Sequence, residues 1–127
     1  MKFSQSLKKN RDFQNVYKKG TSFANSYLVM YILENGLQEN RIGISVSKKV
    51  GNSVVRHRIT RLIRESYRLN EQKFVGGLDI VVIARPGAKE RSFFEIESAL
   101  LHLGRLHSIL KEEEKKEVKK EHEEGID

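Results

Sequence analysis

The chain has 127 residues, 38% of them hydrophobic, and it carries a net charge of +7 with no cysteine. This length and composition suit one domain with a modest core and exclude disulfides and thiolate-bound metals, and they fit a reducing, cytoplasmic location. No apolar run is long enough to cross a bilayer, and residues 1–10 lack the apolar stretch of a secretory signal.

The charge is unevenly distributed. Residues 111–127 contain five lysines and eight acidic residues, so residues 1–110 carry a net charge of +10. A domain this basic predicts a polyanionic partner. We expect residues 1–110 to form the domain and residues 111–127 to form a solvated tail, either a helical extension or disordered, because almost no apolar side chain could dock it. A specific role for the acidic residues of the tail is the alternative.

The first predicted element is a helix over residues 7–19, ended by Gly20. Phe13, Val16 and Tyr17 fall at i, i+3 and i+4 and therefore share one face of this helix.

Two strands are predicted next, over residues 27–33 and 41–47. The first is rich in β-branched and aromatic residues, and the second alternates large apolar residues with small ones such as Gly43 and Ser45. The Asn35-Gly36 pair between the strands predicts a turn or hairpin loop.

The second half of the chain predicts a helix, a strand and a helix. Asn52 or Ser53 would cap a helix that runs to about residue 70. Residues 78–84 form a continuous apolar run, which is typical of a strand covered on both faces. A capping box at residues 92–95 opens a last helix through about residue 110, with a predicted core face of Phe93, Ile96, Leu100, Leu103, Leu106 and Leu110.

The element order α-β-β-α-β-α predicts a single α+β domain, in which three helices pack on a small mixed sheet of three to four strands. For the strand–helix–strand unit over residues 41–84, the general handedness rule predicts a right-handed crossover.

The central helix is divided into two stripes. His57, Arg61, Arg64 and Arg68 fall within about 60° of the helical wheel, with Arg58 at the edge of this sector. The opposite side is apolar, with Val55, Ile59, Leu62, Ile63 and Leu69. Like charges at such spacing repel each other, so the row of guanidinium groups indicates an anionic partner. Nucleic acid is favoured over a merely solvated face or an acidic membrane surface.

A second candidate surface is aromatic. Phe13 and Tyr17 lie one turn apart on the first helix, and Tyr31 lies on the first strand. Gly43 and Ser45 of the other strand could form a floor with little side-chain bulk, over which the bases of a single strand could stack on the rings. Spacing alone slightly favours the alternative that the three aromatic residues are ordinary core.

No motif for catalysis or metal binding is present. The four histidines lack metal-ligand spacing, Glu95 is explained as a helix cap, and Asp79 has no partner acid in a motif. Phosphate-binding loops and nucleophile elbows are absent. We therefore predict no catalytic residue, no metal site and, for lack of a helix-turn-helix pattern, no DNA partner.

The stretch over residues 41–65, centred on Arg56-His57-Arg58, closely resembles the signature of the bacterial ribonuclease P protein family. The likeness extends over about residues 5–110 and includes the first helix, the first strand and the strand that ends at Pro86. The family usually has asparagine where this chain has His57, a residue that can donate or accept a hydrogen bond and can stack.

The resemblance implies a subunit of a ribonucleoprotein endoribonuclease, in which a large catalytic RNA and its Mg²⁺ ions hydrolyse precursor tRNA and release the 5′ leader. The implied RNA-subunit-binding residues are Lys48, Lys49, Asn52, Arg56, His57, Arg58, Arg61, Arg64 and Arg68. The implied leader-binding residues are Phe13, Tyr17 and Tyr31. The family fold also implies a left-handed strand–helix–strand crossover. The alternative function is a structural RNA-binding protein of the ribosomal-protein type.

Overall fold

The computed structural model describes residue 1 and residues 3–111. Of the predicted tail over residues 111–127, all but Lys111 therefore lies outside the described residues. The elements are β1 (Ser4–Ser6), α1 (Asn10–Lys19), β2 (Thr21–Ala24), β3 (Leu28–Glu34), β4 (Asn40–Ser45), α2 (Ser53–Asn70), β5 (Leu78–Ala84) and α3 (Phe93–Leu106). Short 3-10 turns cover Glu71–Lys73 and Pro86–Ala88.

The five strands form one mixed sheet in the order β1-β4-β5-β3-β2. β4 pairs in parallel with β1 and β5, whereas β3 is antiparallel to β5 and β2. The predicted α+β fold with a small mixed sheet and three helices is therefore confirmed. The predicted strand count was too low, because β1 and β2 are short polar strands at the sheet edges that carry no alternating apolar pattern.

The predicted hairpin between β3 and β4 is wrong, since β5 lies between these strands. Among the strands of residues 3–111, only β5 is buried along nearly its whole length. The apolar run of its sequence requires cover on both faces, which a central position supplies. The loop after β3 instead packs on the segment before β5, where the main-chain amide of Asn35 donates to the carbonyl of Gly77 at 3.0 Å.

The sheet carries one hydrophobic cluster on each face. Ile80 and Val82 of β5 point toward α2 and α3, in the larger cluster, whereas Val81 between them packs under α1. This alternation places α1 on one face and the other two helices on the opposite face.

Two helix boundaries differ from the prediction. α1 begins at Asn10, because the amide of Leu7 donates to the carbonyl of Ile42 at 2.8 Å and keeps residue 7 on the sheet. α3 ends at Leu106, because Ser108 has a φ of 59°, which stops the helix. Leu106 lies at the rim of the α3 core stripe and is 42% exposed, so its predicted core position is wrong.

Candidate nucleic-acid interface

α2 is held on the sheet by a buried stripe and a defined N-terminus. The side chain of Asn52 caps the helix by accepting from the amide of Val55 at 3.0 Å. Ile59, Ile63 and Tyr67 are fully buried below the helix. Leu69 was predicted to join this stripe, but it lies about 100° from the centre of the stripe at 100° per residue and is 55% exposed.

The opposite side of α2 presents its basic side chains to solvent. His57, Arg58, Arg61 and Arg64 are all exposed. Within residues 3–111, none of these arginines forms an ion pair with a carboxylate. Two adjoining shallow grooves follow this surface, and both include Arg58 and Arg61 in their lining. We call the exposed side chains of His57, Arg58, Arg61 and Arg64 the arginine face.

Arg68 differs from the arginine face. Its guanidinium forms a forked pair with the carboxylate of Glu65, three residues earlier on the helix. The hydrogen bond from Arg68 lowers the pKa of Glu65, and the same contact raises the pKa of Arg68. Because both groups are exposed, the pair adds little stability, but it reduces the positive field at this end of the helix.

Arg58 and Arg56 each have a local role as well. Arg58 Nη2 donates to the main-chain carbonyl of Arg91 at 2.9 Å, which links α2 to the segment before α3. Arg56 is partly buried, and its Nε has no hydrogen-bond partner among the described residues. An unpaired buried donor of this kind costs free energy.

The loop before α2 adds two exposed lysines, Lys48 and Lys49. A turn in which the amide of Val50 donates to the carbonyl of Ser47 at 3.1 Å shapes this loop, and the buried Val50 side chain anchors it. The two lysines therefore directly precede the N-terminus of α2, which is itself a favourable place for an anion.

The predicted aromatic residues meet on the other face of the sheet. The rings of Tyr17 and Tyr31 are 5.1 Å apart in an edge-to-face arrangement, and those of Phe13 and Tyr17 are 6.4 Å apart. All three are only partly buried. Burial raises the pKa of Tyr17 above its ordinary value, and the neighbouring Ser45 side chain partly offsets that rise. We call Phe13, Tyr17 and Tyr31 the aromatic cluster.

Gly43 makes the close approach of α1 possible. A Cβ at this position would lie 2.6 Å from Cζ of Phe13, so the ring rests directly on the glycine backbone. Gly43 and Tyr31 do not lie on adjacent strands, because Val81 of β5 is paired with both of them. The floor of the surface is therefore three strands wide.

A buried ion pair supports this surface, and the sequence analysis missed it. Asp79 is 2% exposed and accepts from Arg41 Nε at 2.7 Å and from Arg41 Nη2 at 2.6 Å. Arg41 Nη1 also lies 3.8 Å from a carboxylate oxygen of Asp12 on α1. The sequence feature that could have pointed to the pair is an acid, Asp79, near the start of an apolar strand. Its partner could not be predicted locally, because Arg41 lies beside Asp79 only through the parallel register of β4 and β5.

Among residues 3–111, no group of three or more histidine, aspartate or glutamate side chains is placed to hold a metal ion. In the same part of the chain, no helix combines the length and the hydropathy that crossing a bilayer requires.

Comparison with known proteins agrees with this architecture. The family model described as Ribonuclease P matches residues 1–107. The ribonuclease P protein component of Lachnoclostridium phytofermentans is 63% identical over 111 residues, which cover 87% of this chain and 96% of that protein. The corresponding protein of Alkaliphilus metalliredigens is 61% identical over 110 residues, covering 87% and 99%.

A solved structure shows the same fold. The RNase P protein of Staphylococcus aureus superposes with a TM-score of 0.77 at 41% identity and covers 84% of this chain and 97% of that one. The alternative of a ribosomal-type structural protein is not favoured by these matches. The chain belongs to the bacterial ribonuclease P protein family, and it is a protein subunit of that tRNA-processing endoribonuclease.

Proposed function

We propose that the arginine face docks on the catalytic RNA subunit of ribonuclease P, while the aromatic cluster holds the 5′ leader of precursor tRNA. The observation that carries the first part is the set of exposed guanidinium groups of Arg58, Arg61 and Arg64, which have no carboxylate partner within the described residues. Guanidinium groups make forked hydrogen bonds to phosphate and stack on bases, so such a row suits folded RNA.

Lys48, Lys49 and Asn52 extend the proposed contact to the N-terminus of α2. Asn52 uses its side-chain oxygen for the helix cap, which leaves its amide nitrogen for RNA. Arg56, near the start of α2 and only partly buried, belongs to the same proposed set. Arg68 is the weakest member of the proposed set, because Glu65 already occupies its guanidinium.

The aromatic cluster has the properties of a single-strand platform. Its rings are packed firmly enough to stay in place yet remain partly exposed, and base–aromatic stacking tolerates any sequence. Because the cluster and the arginine face lie on opposite faces of the sheet, one protein could hold two RNA segments at once. In this proposal the RNA subunit and its Mg²⁺ ions supply the chemistry, and the protein acts in the cytoplasm.

Reconstitution tests the proposal. We expect the full-length protein alone to leave a precursor tRNA uncut, and its cognate catalytic RNA with the protein to cleave the 5′ leader at a low Mg²⁺ concentration. The control is the same RNA without protein at that concentration, which should be much slower. Cleavage by the protein in the absence of RNA would contradict the assignment of roles.

The leader platform predicts a substrate-specific loss. Phe13→Leu should keep the apolar contact with Gly43 but remove the ring, and should lower the preference of the holoenzyme for leader-bearing over mature tRNA by about tenfold, the size of one base–aromatic stack. The matched control is Phe23→Leu, which changes a 45% exposed ring outside the aromatic cluster. Equal weakening of both substrates would argue against the platform.

A further inference from the structure

A third exposed surface lies beside α3 and is used neither by the arginine face nor by the aromatic cluster. It is a groove of about 490 Å³, and its lining includes Asn25, Tyr27, Phe94, Glu95, Ser98 and His102. Phe94, the second residue of α3, is 75% exposed, and its ring is held edge-to-face against Phe93 at 5.5 Å. We call this groove the α3 groove.

From this arrangement we infer that the α3 groove binds an unpaired nucleotide of the same RNA that the arginine face contacts, with the base stacked on Phe94. This inference rests on the proposed function of the arginine face and extends it to a second element. Four observations support it, namely continuity with the arginine face, charge, exposed aromatic surface and the polar groups of the groove.

Arg58 connects the arginine face to the α3 groove. Its guanidinium donates to the carbonyl of Arg91 at 2.9 Å, and Arg91 in turn places its own guanidinium 4.9 Å from the centre of the Tyr27 ring. The arginine face and the α3 groove are therefore parts of one surface, joined across the packed pair α2 and α3. An RNA that covers Arg58 passes the edge of the groove.

The charge at the edge of the groove suits a phosphate backbone. Two exposed arginines reach it, since Arg85 Nη1 donates to the main-chain carbonyl of Asn25 at 2.7 Å and the guanidinium of Arg91 lies over the Tyr27 ring. Glu95 is already engaged, since its carboxylate accepts from the amide of Ser92 at 3.1 Å and lies 3.5 Å from Arg91. The edge is therefore net positive, as RNA binding requires.

The aromatic surface suits a base rather than phosphate alone. The guanidinium of Arg91 lies over the Tyr27 ring, and the phenol of Tyr27 donates to the carboxylate of Glu95 at 3.5 Å. Phe94, in contrast, leaves most of its ring in water, which is unfavourable for an aromatic side chain without a partner. Unpaired bases of RNA stack on such rings, and stacking is their main contribution to sequence-tolerant binding.

The polar groups of the groove suit the edge of a base. The Asn25 side-chain oxygen accepts from the amides of Tyr27 and Leu28, which fixes the amide so that Nδ2 donates to His102 Nδ1 at 3.1 Å. Because His102 Nδ1 accepts this hydrogen bond, the N–H of the ring is on Nε2, and His102 is exposed. A base acceptor can pair with that donor, and the hydroxyl of Ser98 lies in the same lining.

Binding and crosslinking to the cognate catalytic RNA test the inference. Phe94→Ala should weaken binding about tenfold, the order of one lost base stack, without changing the salt dependence, because no phosphate contact is removed. Phe94→Trp should bind within about threefold of the original protein, since its ring still stacks. The matched control is Leu106→Ala, which removes an exposed apolar side chain at the other end of α3 and should bind normally.

Crosslinking locates the contact. With p-benzoylphenylalanine in place of Phe94, irradiation of the complex should join the protein to an unpaired nucleotide, whereas the same group in place of Leu106 should give no RNA adduct. Normal binding by Phe94→Ala, no adduct at position 94, or an adduct only with base-paired nucleotides would each overturn the inference. Variants of Arg61 and Arg64 in the same assay separate the two ideas. If the Arg61 and Arg64 variants bind RNA weakly while Phe94→Ala binds normally, only the inference about the α3 groove is contradicted. If the Arg61 and Arg64 variants bind RNA normally, the proposal for the arginine face is contradicted.

Discussion

Replacing Arg61 and Arg64 together by alanine should weaken binding to the catalytic RNA by roughly 100-fold or more, since each lost charge-assisted hydrogen bond costs about 1.5–3 kcal/mol. The slope of log affinity against log salt should become shallower by about 1.4–1.8, from about 0.7–0.9 per lost phosphate contact. Both side chains are exposed and form no ion pair within residues 3–111, so the stability of the protein should change by less than about 0.5 kcal/mol.

Arg58 is left in place in this variant because it also holds the carbonyl of Arg91, and its loss would disturb the segment before α3. The matched control removes two exposed lysines at the end of α1, Lys18 and Lys19, on the opposite face of the sheet. Filter binding between about 50 and 200 mM salt measures the slope. An unchanged slope in the Arg61 and Arg64 variant would sink the proposal that this face docks on RNA phosphates.

Asp79→Ala should lower the free energy of unfolding by about 1.5–3 kcal/mol, because the buried carboxylate makes charge-assisted hydrogen bonds to Arg41, whose own side chain is 28% exposed. Asp79 also accepts from the side-chain amide of Asn35 at 3.0 Å, so the same change removes support from the loop between β3 and β4. The total free energy of unfolding of a single domain is about 5–15 kcal/mol. The loss is therefore a large part of the stability, and urea unfolding measures it.

Two controls isolate the buried charge. Asp12→Ala removes the long, partly exposed contact at 3.8 Å and should cost no more than about 1 kcal/mol. The double variant Arg41→Met with Asp79→Leu replaces both charges by apolar side chains and should be less destabilised than Asp79→Ala, because the buried space of Asp79 stays filled and no unpaired charge is left. A loss below about 1 kcal/mol in Asp79→Ala would mean that water or another side chain replaces the pair.

Elements with strong local patterns were predictable. The apolar run at residues 78–84 and the capping box at Ser92 define β5 and the start of α3, and the structure confirms both. The short strands β1 and β2 were not predictable, since Ser-Gln-Ser and Thr-Ser-Phe-Ala carry no apolar alternation. Their extended shape comes from pairing with β4 and β3, a long-range contact that local propensity does not encode.

The candidate interface was likewise predictable only in part. The sequence by itself determined that α2 has an apolar and a basic stripe, because helical geometry fixes where each side chain points. Only the tertiary structure decided which basic groups remain open, since Arg68 pairs with Glu65 whereas Arg58 reaches a carbonyl 33 residues away. It also decided that β5 separates β3 from β4 and brings Asp79 beside Arg41. Such contacts depend on the order of strands and on helix packing, which arise from burial of the whole core rather than from any local pattern.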